Sequence, residues 1–266
     1  MISGITIFGG TDKSGAREKV QNVHIASGEI MAVVGPTGSG KTQLISDIEQ
    51  YWEEETLSRR RIYIEGMPET GCHGMAGSRY LIAQVSQNMN FVIDTSIEEF
   101  IRMHSQVRGI KNPTGTIAKV LEITNYLSGE PVTLATNLTQ LSGGQSRALM
   151  VADVAVISNA PIVLIDEIEN AGIDRMKALE ILSGHGKIIL VVSHDPTLML
   201  MAKQRIVMKN GGMEKVCNTS PEEARILKDL LSLEKDIGNL REQLRKGNID
   251  VKEETDLWQE FSFISR

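Results

Sequence analysis

Residues 35–42 read Gly-Pro-Thr-Gly-Ser-Gly-Lys-Thr and directly follow the apolar run at 30–34. A loop of this spacing between a strand and a helix binds phosphates, because its N–H groups turn inward and the helix adds a positive N-terminal end. Without a ligand we expect Lys41 to face solvent. With one, its charge would offset the β- and γ-phosphates while the Thr42 hydroxyl binds Mg²⁺. The predicted nucleotide-binding residues are Gly35, Pro36, Thr37, Gly38, Ser39, Gly40, Lys41 and Thr42.

A second motif, Leu-Ser-Gly-Gly-Gln at 141–145, opens an apolar helical run. Ser142 and Gln145 have the spacing of a capping box, in which each side chain satisfies a backbone N–H of the other residue. Two consecutive glycines in the first turn of a helix cost stability, so a purely structural cap would not favour them. Gly143 and Gly144 therefore indicate that a phosphate approaches the backbone closely.

The run 162–165 is typical of a strand buried in a parallel sheet, and it ends in two carboxylates. Successive strand side chains point in opposite directions, so Asp166 and Glu167 can have different roles. We expect Asp166 to hold the hydration shell of Mg²⁺. We expect Glu167 to orient the attacking water or to accept its proton.

The order and spacing of these motifs resemble the ATP-binding cassette (ABC) family from about residue 5 to residue 212. Leu-Ser-Gly-Gly-Gln is the signature sequence of that family. The resemblance implies an α/β fold of the P-loop NTPase type, ATP hydrolysis with Mg²⁺, and a head-to-tail dimer. In that dimer Ser142, Gly143, Gly144 and Gln145 of one chain would contact the ATP that the other chain holds.

Three further positions follow from the resemblance. His194, after the apolar run at 190–192, corresponds to a histidine that contacts the γ-phosphate. Gln87 is preferred over Gln84 or Gln43 as the glutamine that links the metal site to a helical subdomain, where transport relatives meet their membrane partner. Asp174 is the best match to the D-loop aspartate, although the segment after Glu167 is one residue longer than in most relatives and lacks their proline.

The composition agrees with a soluble cytoplasmic enzyme, and a membrane role would come through a partner. The chain has 266 residues, a formal charge of −6 and only two cysteines, and no apolar run reaches the roughly twenty residues that span a bilayer. A negative charge gives no general attraction to nucleic acid. We expect the basic run at 59–61 to be solvated. Phe8 is the nearest candidate for an aromatic that stacks on the adenine, or it is a core residue.

The pattern predicts a β-rich N-terminal part, a helical subdomain at about 88–150, and alternating helices and strands to the end of a cassette at 1–217. Helices are expected at 97–107 and 117–127, with a break at 109–113. Residues 218–266 would form a helical extension. This extension has apolar residues at heptad spacing, but they span too few heptads for a confident coiled-coil prediction. They are Ile226, Leu230, Leu233, Ile237, Leu240 and Leu244. A local hairpin with a second helix near Trp258 is preferred over dimerisation.

Two functions remain open from the sequence. The compact spacing between the motifs favours the energy subunit of a membrane transporter, working with a second ABC subunit and with separate membrane-spanning subunits. The alternative is a soluble ABC ATPase that remodels a protein or supports activation of an enzyme or cofactor, because fold and motif do not determine the coupled process.

Overall fold

The computed structural model describes residues 2–50, 56–66, 81–86, 89–166 and 173–247. The chain divides into two compact units, Met1–Ser220 and Pro221–Arg266. The described strands of the first unit are β1 (Gly4–Phe8), β2 (Asn22–Ala26), β3 (Ile30–Val34), β4 (Arg61–Glu65), β5 (Ile82–Ser86), β6 (Ile162–Asp166), β7 (Ile188–Val192), β8 (Gln204–Lys209) and β9 (Gly212–Asn218). Its described helices are α1 (Lys41–Glu49), α2 (Ile97–Val107), α3 (Pro113–Leu127), α4 (Gly143–Val156), α5 (Arg175–Gly184) and α6 (Pro196–Met201).

Six of these strands form one sheet in the order β5-β6-β7-β3-β8-β9. All neighbours in it are parallel except β9, which is antiparallel to β8. A second sheet, β2-β1-β4, is antiparallel. The predicted α/β class, with a mainly parallel sheet and a β-rich N-terminal part, is confirmed.

The strands β6 and β7 lie at the centre of the core and are covered on both faces. Val163 and Ile165 face a cluster formed with the helices α2 to α5, whereas Ile162 and Leu164 face a second cluster with α1 and the antiparallel sheet. This explains why both strands are continuous apolar runs rather than alternating ones. Each fully buried Ile or Leu contributes about 1.5–3 kcal/mol through its removal from water.

The helical part contains α2, α3, a short 3₁₀ turn at Leu138–Gln140, and α4. The helix α2 has the predicted bounds, and the predicted break follows it. The start predicted for the next helix at 117 is wrong, because α3 begins at Pro113. A proline needs no N–H partner in a first turn, and the Asn112 side chain accepts a hydrogen bond from the Gly115 N–H at 3.2 Å.

The second unit begins with α7 (Pro221–Lys246), and Gly247 ends it with a positive φ of 71°. The predicted start and end of this helix are confirmed. None of its residues is buried. The predicted second helix near Trp258 lies outside the described residues, so both the hairpin and the 217/218 domain boundary stay predictions. In the part of the chain that the structure describes, every helix is too short or too polar to cross a bilayer.

Candidate active site

The glycine-rich loop at 35–42 joins the carboxyl end of β3 to the start of α1. Gly40 caps α1 in the left-handed conformation, with φ at 100°. A Cβ added to Gly40 would lie 2.7 Å from the Gly211 Cα, so only glycine fits there. A Cβ added to Gly38, whose φ is 76°, would meet nothing within 4 Å. The loop is therefore tightly packed at Gly40, where α1 begins, and open at Gly38. We call residues 38–39 the crown of the loop.

Lys41 does not face solvent, so that expectation is wrong. Its exposed fraction is only 8%, and its Nζ donates to the carbonyls of Gly35 at 2.8 Å and Pro36 at 3.2 Å. The ammonium finds these acceptors within its own loop, and no carboxylate of the described residues forms an ion pair with it. The Ser39 hydroxyl is buried and has no hydrogen-bond partner in the described structure. A buried unpaired donor beside an ammonium held only by carbonyls fits an anionic ligand such as a triphosphate.

The carboxyl ends of four parallel strands meet at the same edge of the sheet. The register pairs Ser86 with Asp166 and Asp166 with Val192, two residues before His194. Neighbouring strands lie about 4.8 Å apart, so the four strand ends from β5 to β3 extend over about 14 Å. Ligands bind at this edge in open α/β sheets. The structure therefore brings Asp166 and His194 to the edge that carries the phosphate loop.

Two of the predicted catalytic residues, Gln87 and Glu167, lie outside the described residues. They directly follow the ends of β5 and β6 in the sequence. Burial raises the pKa of the Glu49 carboxyl, and the negative charge of Asp166 raises it further.

Within the described residues no three His, Cys, Asp or Glu side chains cluster as a metal site. Mg²⁺ does not need such a cluster, because it commonly combines one or two protein oxygens with phosphates and waters. A carboxylate and a threonine hydroxyl beside a phosphate loop fit that ion.

The signature motif starts α4 as the capping box predicts. The Gln145 N–H donates to Ser142 Oγ at 3.3 Å, and the Ser142 N–H donates to Gln145 Oε1 at 2.9 Å. Gln145 Nε2 also donates to the Glu130 carbonyl at 3.3 Å. Gly143 and Gly144 lie in the first turn. Among the described residues no hydrogen bond or ion pair joins the signature motif to the phosphate loop of the same chain.

Asp174 is the N-cap of α5. Its side chain accepts from the Lys177 N–H at 3.2 Å and pairs with Lys177 Nζ at 3.1 Å. Its own N–H donates to the Leu127 carbonyl at 3.3 Å, so the start of α5 is attached to the end of α3. Its role in contact with a nucleotide or a second chain stays a prediction.

The basic run at 59–61 is not uniformly solvated, and this is a further correction. Arg60 is 2% exposed. Its Nη1 donates to Asp47 at 2.6 Å, its Nη2 donates to the Gly211 carbonyl at 2.7 Å, and its guanidinium forms an ion pair with Glu18. A sequence feature that points to this buried ion pair lies in α1, where Asp47 is on the same helix face as the apolar residues Leu44 and Ile48.

Phe8 ends β1, and the guanidinium of Arg61 lies 5.7 Å from its ring centroid. The two residues are paired in the antiparallel sheet. A cation over a ring is attractive, so this contact accounts for the position of the aromatic without a ligand. Stacking of Phe8 on an adenine stays a prediction.

Comparison with known proteins identifies the family. The family model described as ABC transporter matches residues 19–170. An ABC transporter ATP-binding protein of Methanocaldococcus jannaschii is 53% identical over 246 residues, which cover 92% of this chain and 94% of that protein. An ATP-dependent lipid A-core flippase of Ralstonia nicotianae is 29% identical over 78% of this chain, but the match covers only 36% of the flippase.

Solved structures agree in fold. The structure of cbiO1 from Clostridium perfringens, described as part of the ABC transporter complex cbiONQ, has a TM-score of 0.60 and 21% identity and covers 97% of this chain and all of that one. An ATP-binding cassette of an ABC transporter in its ADP conformation has a TM-score of 0.58 and 19% identity, over 90% of this chain and 99% of that one. The chain therefore belongs to the ABC transporter family, as an ATP-binding cassette that hydrolyses ATP.

Proposed function

We propose that this chain hydrolyses MgATP at the interface of a head-to-tail dimer, and that the cycle powers transport through separate membrane-spanning subunits. The observation that carries the proposal is the gathering of the phosphate loop, Asp166 and His194 at one sheet edge, while within the described part of the chain the intact signature motif forms no hydrogen bond or ion pair with that loop. A signature motif that forms no hydrogen bond or ion pair with its own phosphate loop is available to the nucleotide of a partner.

Binding depends on the loop and its helix. Lys41 is held by two carbonyls and can exchange them for the β- and γ-phosphates, while the buried Ser39 hydroxyl gains an acceptor. The N–H groups of Gly40, Lys41 and Thr42 belong to the N-cap and first turn of α1 and carry its positive end. Thr42, Asp166 and Gln87 would hold Mg²⁺, which when bound supplies charge neutralisation between the phosphates.

Hydrolysis depends on groups at the ends of β6 and β7. Glu167 orients the attacking water or accepts its proton, and His194 donates a hydrogen bond to a γ-phosphate oxygen. Asp174, at the start of α5, contacts the second chain. The Ser142 hydroxyl and the N–H groups of Gly143 and Gly144 of that chain contact the nucleotide from the far side, and Gln145 keeps this helix start in place by accepting from the Ser142 N–H. Intact ATP therefore favours the closed dimer, and loss of the γ-phosphate lets it open.

An apolar surface in the helical part supports coupling to a membrane subunit. Val92 is 91% exposed, Val107 78%, Ile93 49% and Met103 41%. These residues follow Gln87 in the sequence, and Gln87 is a proposed ligand of Mg²⁺. A partner bound to them would therefore be coupled to the metal site through Gln87. Met103 and Val107 are four residues apart in α2 and therefore lie on one face of that helix, and exposed apolar side chains that lie together indicate a binding surface. The occupant that we propose is a short apolar helix of a membrane subunit, which would place the chain on the cytoplasmic face of the membrane.

The test is affinity purification of the tagged chain from its native membranes in mild detergent, followed by identification of the proteins that co-purify. We expect a polytopic membrane subunit with the wild-type chain and its loss with the double change Val92→Asp and Val107→Asp. Leu57→Asp is the matched control, because Leu57 is equally exposed, at 90%, but lies outside the helical part. Soluble partners alone would contradict transport and favour the remodelling of a protein.

A further inference from the structure

The crown of the phosphate loop is held from outside by donors that come from two other segments. Lys13 Nζ donates to the Gly38 carbonyl at 2.7 Å, and the Gly211 N–H donates to the Ser39 carbonyl at 2.8 Å. A trans peptide is planar, so the N–H of the following residue points away from the carbonyl. Fixing the Gly38 carbonyl therefore also sets the direction of the Ser39 N–H, which donates to the Pro36 carbonyl at 3.1 Å. Fixing the Ser39 carbonyl turns the Gly40 N–H to the opposite side, toward the inside of the loop.

Lys13 is itself held in place at several points. Its backbone N–H donates to the Asn210 carbonyl at 2.9 Å. Its side chain lies against the turn, since a Cβ added to Gly211 would be 2.6 Å from the Lys13 Cγ. Asp12 closes the loop around it by accepting from the N–H groups of Ser14 at 2.8 Å and Ala16 at 3.0 Å. The ammonium is thus directed at the phosphate loop before any ligand arrives.

The buried Arg60 cluster connects this segment to α1. Arg60 Nη2 donates to the Gly211 carbonyl, and its Nη1 donates to Asp47 in α1. Glu18, the third member, accepts from the N–H groups of Gly10 at 3.1 Å and Met213 at 3.0 Å. The β8–β9 turn and residues 10–18 are therefore fixed to the helix that the phosphate loop starts.

We propose that Lys13 is a positioning residue for nucleotide binding, which holds the Gly38–Ser39 peptide plane and with it the Pro36–Ser39 turn, whose Pro36 carbonyl also holds the Lys41 ammonium. The proposal rests on the proposed function of the loop around Lys41. Lys13 acts through the Gly38 carbonyl, and its side chain does not need to touch the nucleotide. Its loss removes binding that the ground state and the transition state share, so it raises KM for ATP and leaves kcat unchanged.

The experiment compares Lys13→Met with Lys19→Met in steady-state ATP hydrolysis by the full chain. Lys19→Met is a matched control because Lys19 is also an exposed lysine of this N-terminal segment, yet its ammonium pairs with Glu214 and not with the phosphate loop. We expect Lys13→Met to raise KM for ATP about tenfold, as for loss of one charge-assisted hydrogen bond, with kcat within about twofold. Lys13→Arg should restore most of the affinity.

A second readout separates positioning from general stability. The Tm of the ligand-free Lys13→Met chain should fall no further than that of Lys19→Met, whereas the rise in Tm that ATP causes should shrink in Lys13→Met alone. A KM within about twofold of the wild type, an equal change in Lys19→Met, or a fall in kcat alone would overturn the proposal. Lys41→Ala tests the underlying site: if it leaves KM unchanged, both the site and the role of Lys13 fail. If only Lys13→Met behaves as wild type, the role of Lys13 alone fails.

Discussion

Arg175 and Asp195 form an ion pair that joins the first turn of α5 to the start of α6. Their side chains are only 23% and 11% exposed. Asp195 also caps α6 by accepting from the Thr197 N–H at 2.7 Å. Because Asp195 adjoins His194, the guanidinium fixes the segment that carries the predicted γ-phosphate contact.

We expect Arg175→Met to lower the free energy of unfolding by about 1–2 kcal/mol, a value between those of exposed and buried ion pairs. It should also lower kcat, because the segment that carries His194 loses an attachment, while ATP binding persists. Urea denaturation and turnover measure the two effects. Lys177→Met is the control, since its pair with Asp174 in the same helix is about 40% exposed and should contribute less than about 0.5 kcal/mol. Equal losses in both variants would contradict the role of Arg175.

Those parts of the fold that depend on local chemistry were predictable from the sequence. The apolar runs of β6 and β7 are buried strands, the Ser142–Gln145 pair starts α4, and Asn210 and Gly211 both have positive φ in the β8–β9 turn. Each of these features depends on residues close together in the chain: periodicity for a strand, a side-chain cap for a helix, and permissive residues for a tight hairpin.

The contacts around the phosphate loop were not predictable, because their partners come from distant segments. Arg60 meets Glu18, 42 residues away, and Lys13 meets Gly38, 25 residues away. An arginine between two other arginines has the composition of a solvated surface, and periodicity contains no information on which carboxylates it will meet. The prediction for Lys41 was wrong for a similar reason. The acceptors of its ammonium are backbone carbonyls, which every residue has, so the residue types do not indicate which of them it will bind.

The buried Arg60 cluster provides the second prediction. Arg60→Met leaves Glu18 and Asp47 as buried charges without their cation, and the expected loss is about 3–5 kcal/mol of unfolding free energy. Arg61→Met is the matched control, because Arg61 is exposed on β4 and its contact with Phe8 contributes only about 0.5–1 kcal/mol.

A second variant keeps this prediction testable if Arg60→Met fails to fold. Adding Glu18→Gln and Asp47→Asn to Arg60→Met removes the unpaired charges and should recover part of the stability, as measured by urea denaturation. No recovery in the triple variant would show that the cost comes from lost packing rather than from buried charge.

Lys187 predicts a specific dependence of stability on pH. Burial lowers the pKa of the Lys187 ammonium, and the positive charge of Arg108 lowers it further. The folded chain therefore releases this proton at a lower pH than the unfolded chain, which binds more protons between the two pKa values. Stability from this group rises with pH through that window, up to the unfolded value of about 10.4.

The measurement is urea denaturation from about pH 8 to about pH 10 with the wild type and Lys187→Met. We expect the wild type to gain stability relative to the variant as pH rises. At neutral pH the variant still loses the bonds from Lys187 Nζ to the carbonyls of Ser158 at 2.7 Å and Ala160 at 2.8 Å. Parallel curves for the two proteins would contradict the lowered pKa.

The last prediction tests the shared site through Glu167 and Ser142. Glu167→Gln keeps the size of the side chain but removes the carboxylate that handles the attacking water, while Lys41 and Asp166 remain to bind MgATP. Turnover should collapse and ATP affinity should persist. Because intact ATP favours closure, this variant should accumulate as an ATP-dependent dimer in size exclusion. Adding Ser142→Arg should abolish that dimer by obstructing the nucleotide of the partner.

The control for the added arginine is Thr114→Arg in the Glu167→Gln background, since Thr114 is exposed near the start of α3, in the same helical part. This control should retain the dimer. Loss of the Ser142 cap costs about 1 kcal/mol, so circular dichroism must show that α4 persists. Turnover near the wild-type rate in Glu167→Gln would remove Glu167 from its role. An inactive variant that stays monomeric with saturating MgATP would contradict the homodimer and indicate that the second half of the site comes from a different ABC subunit.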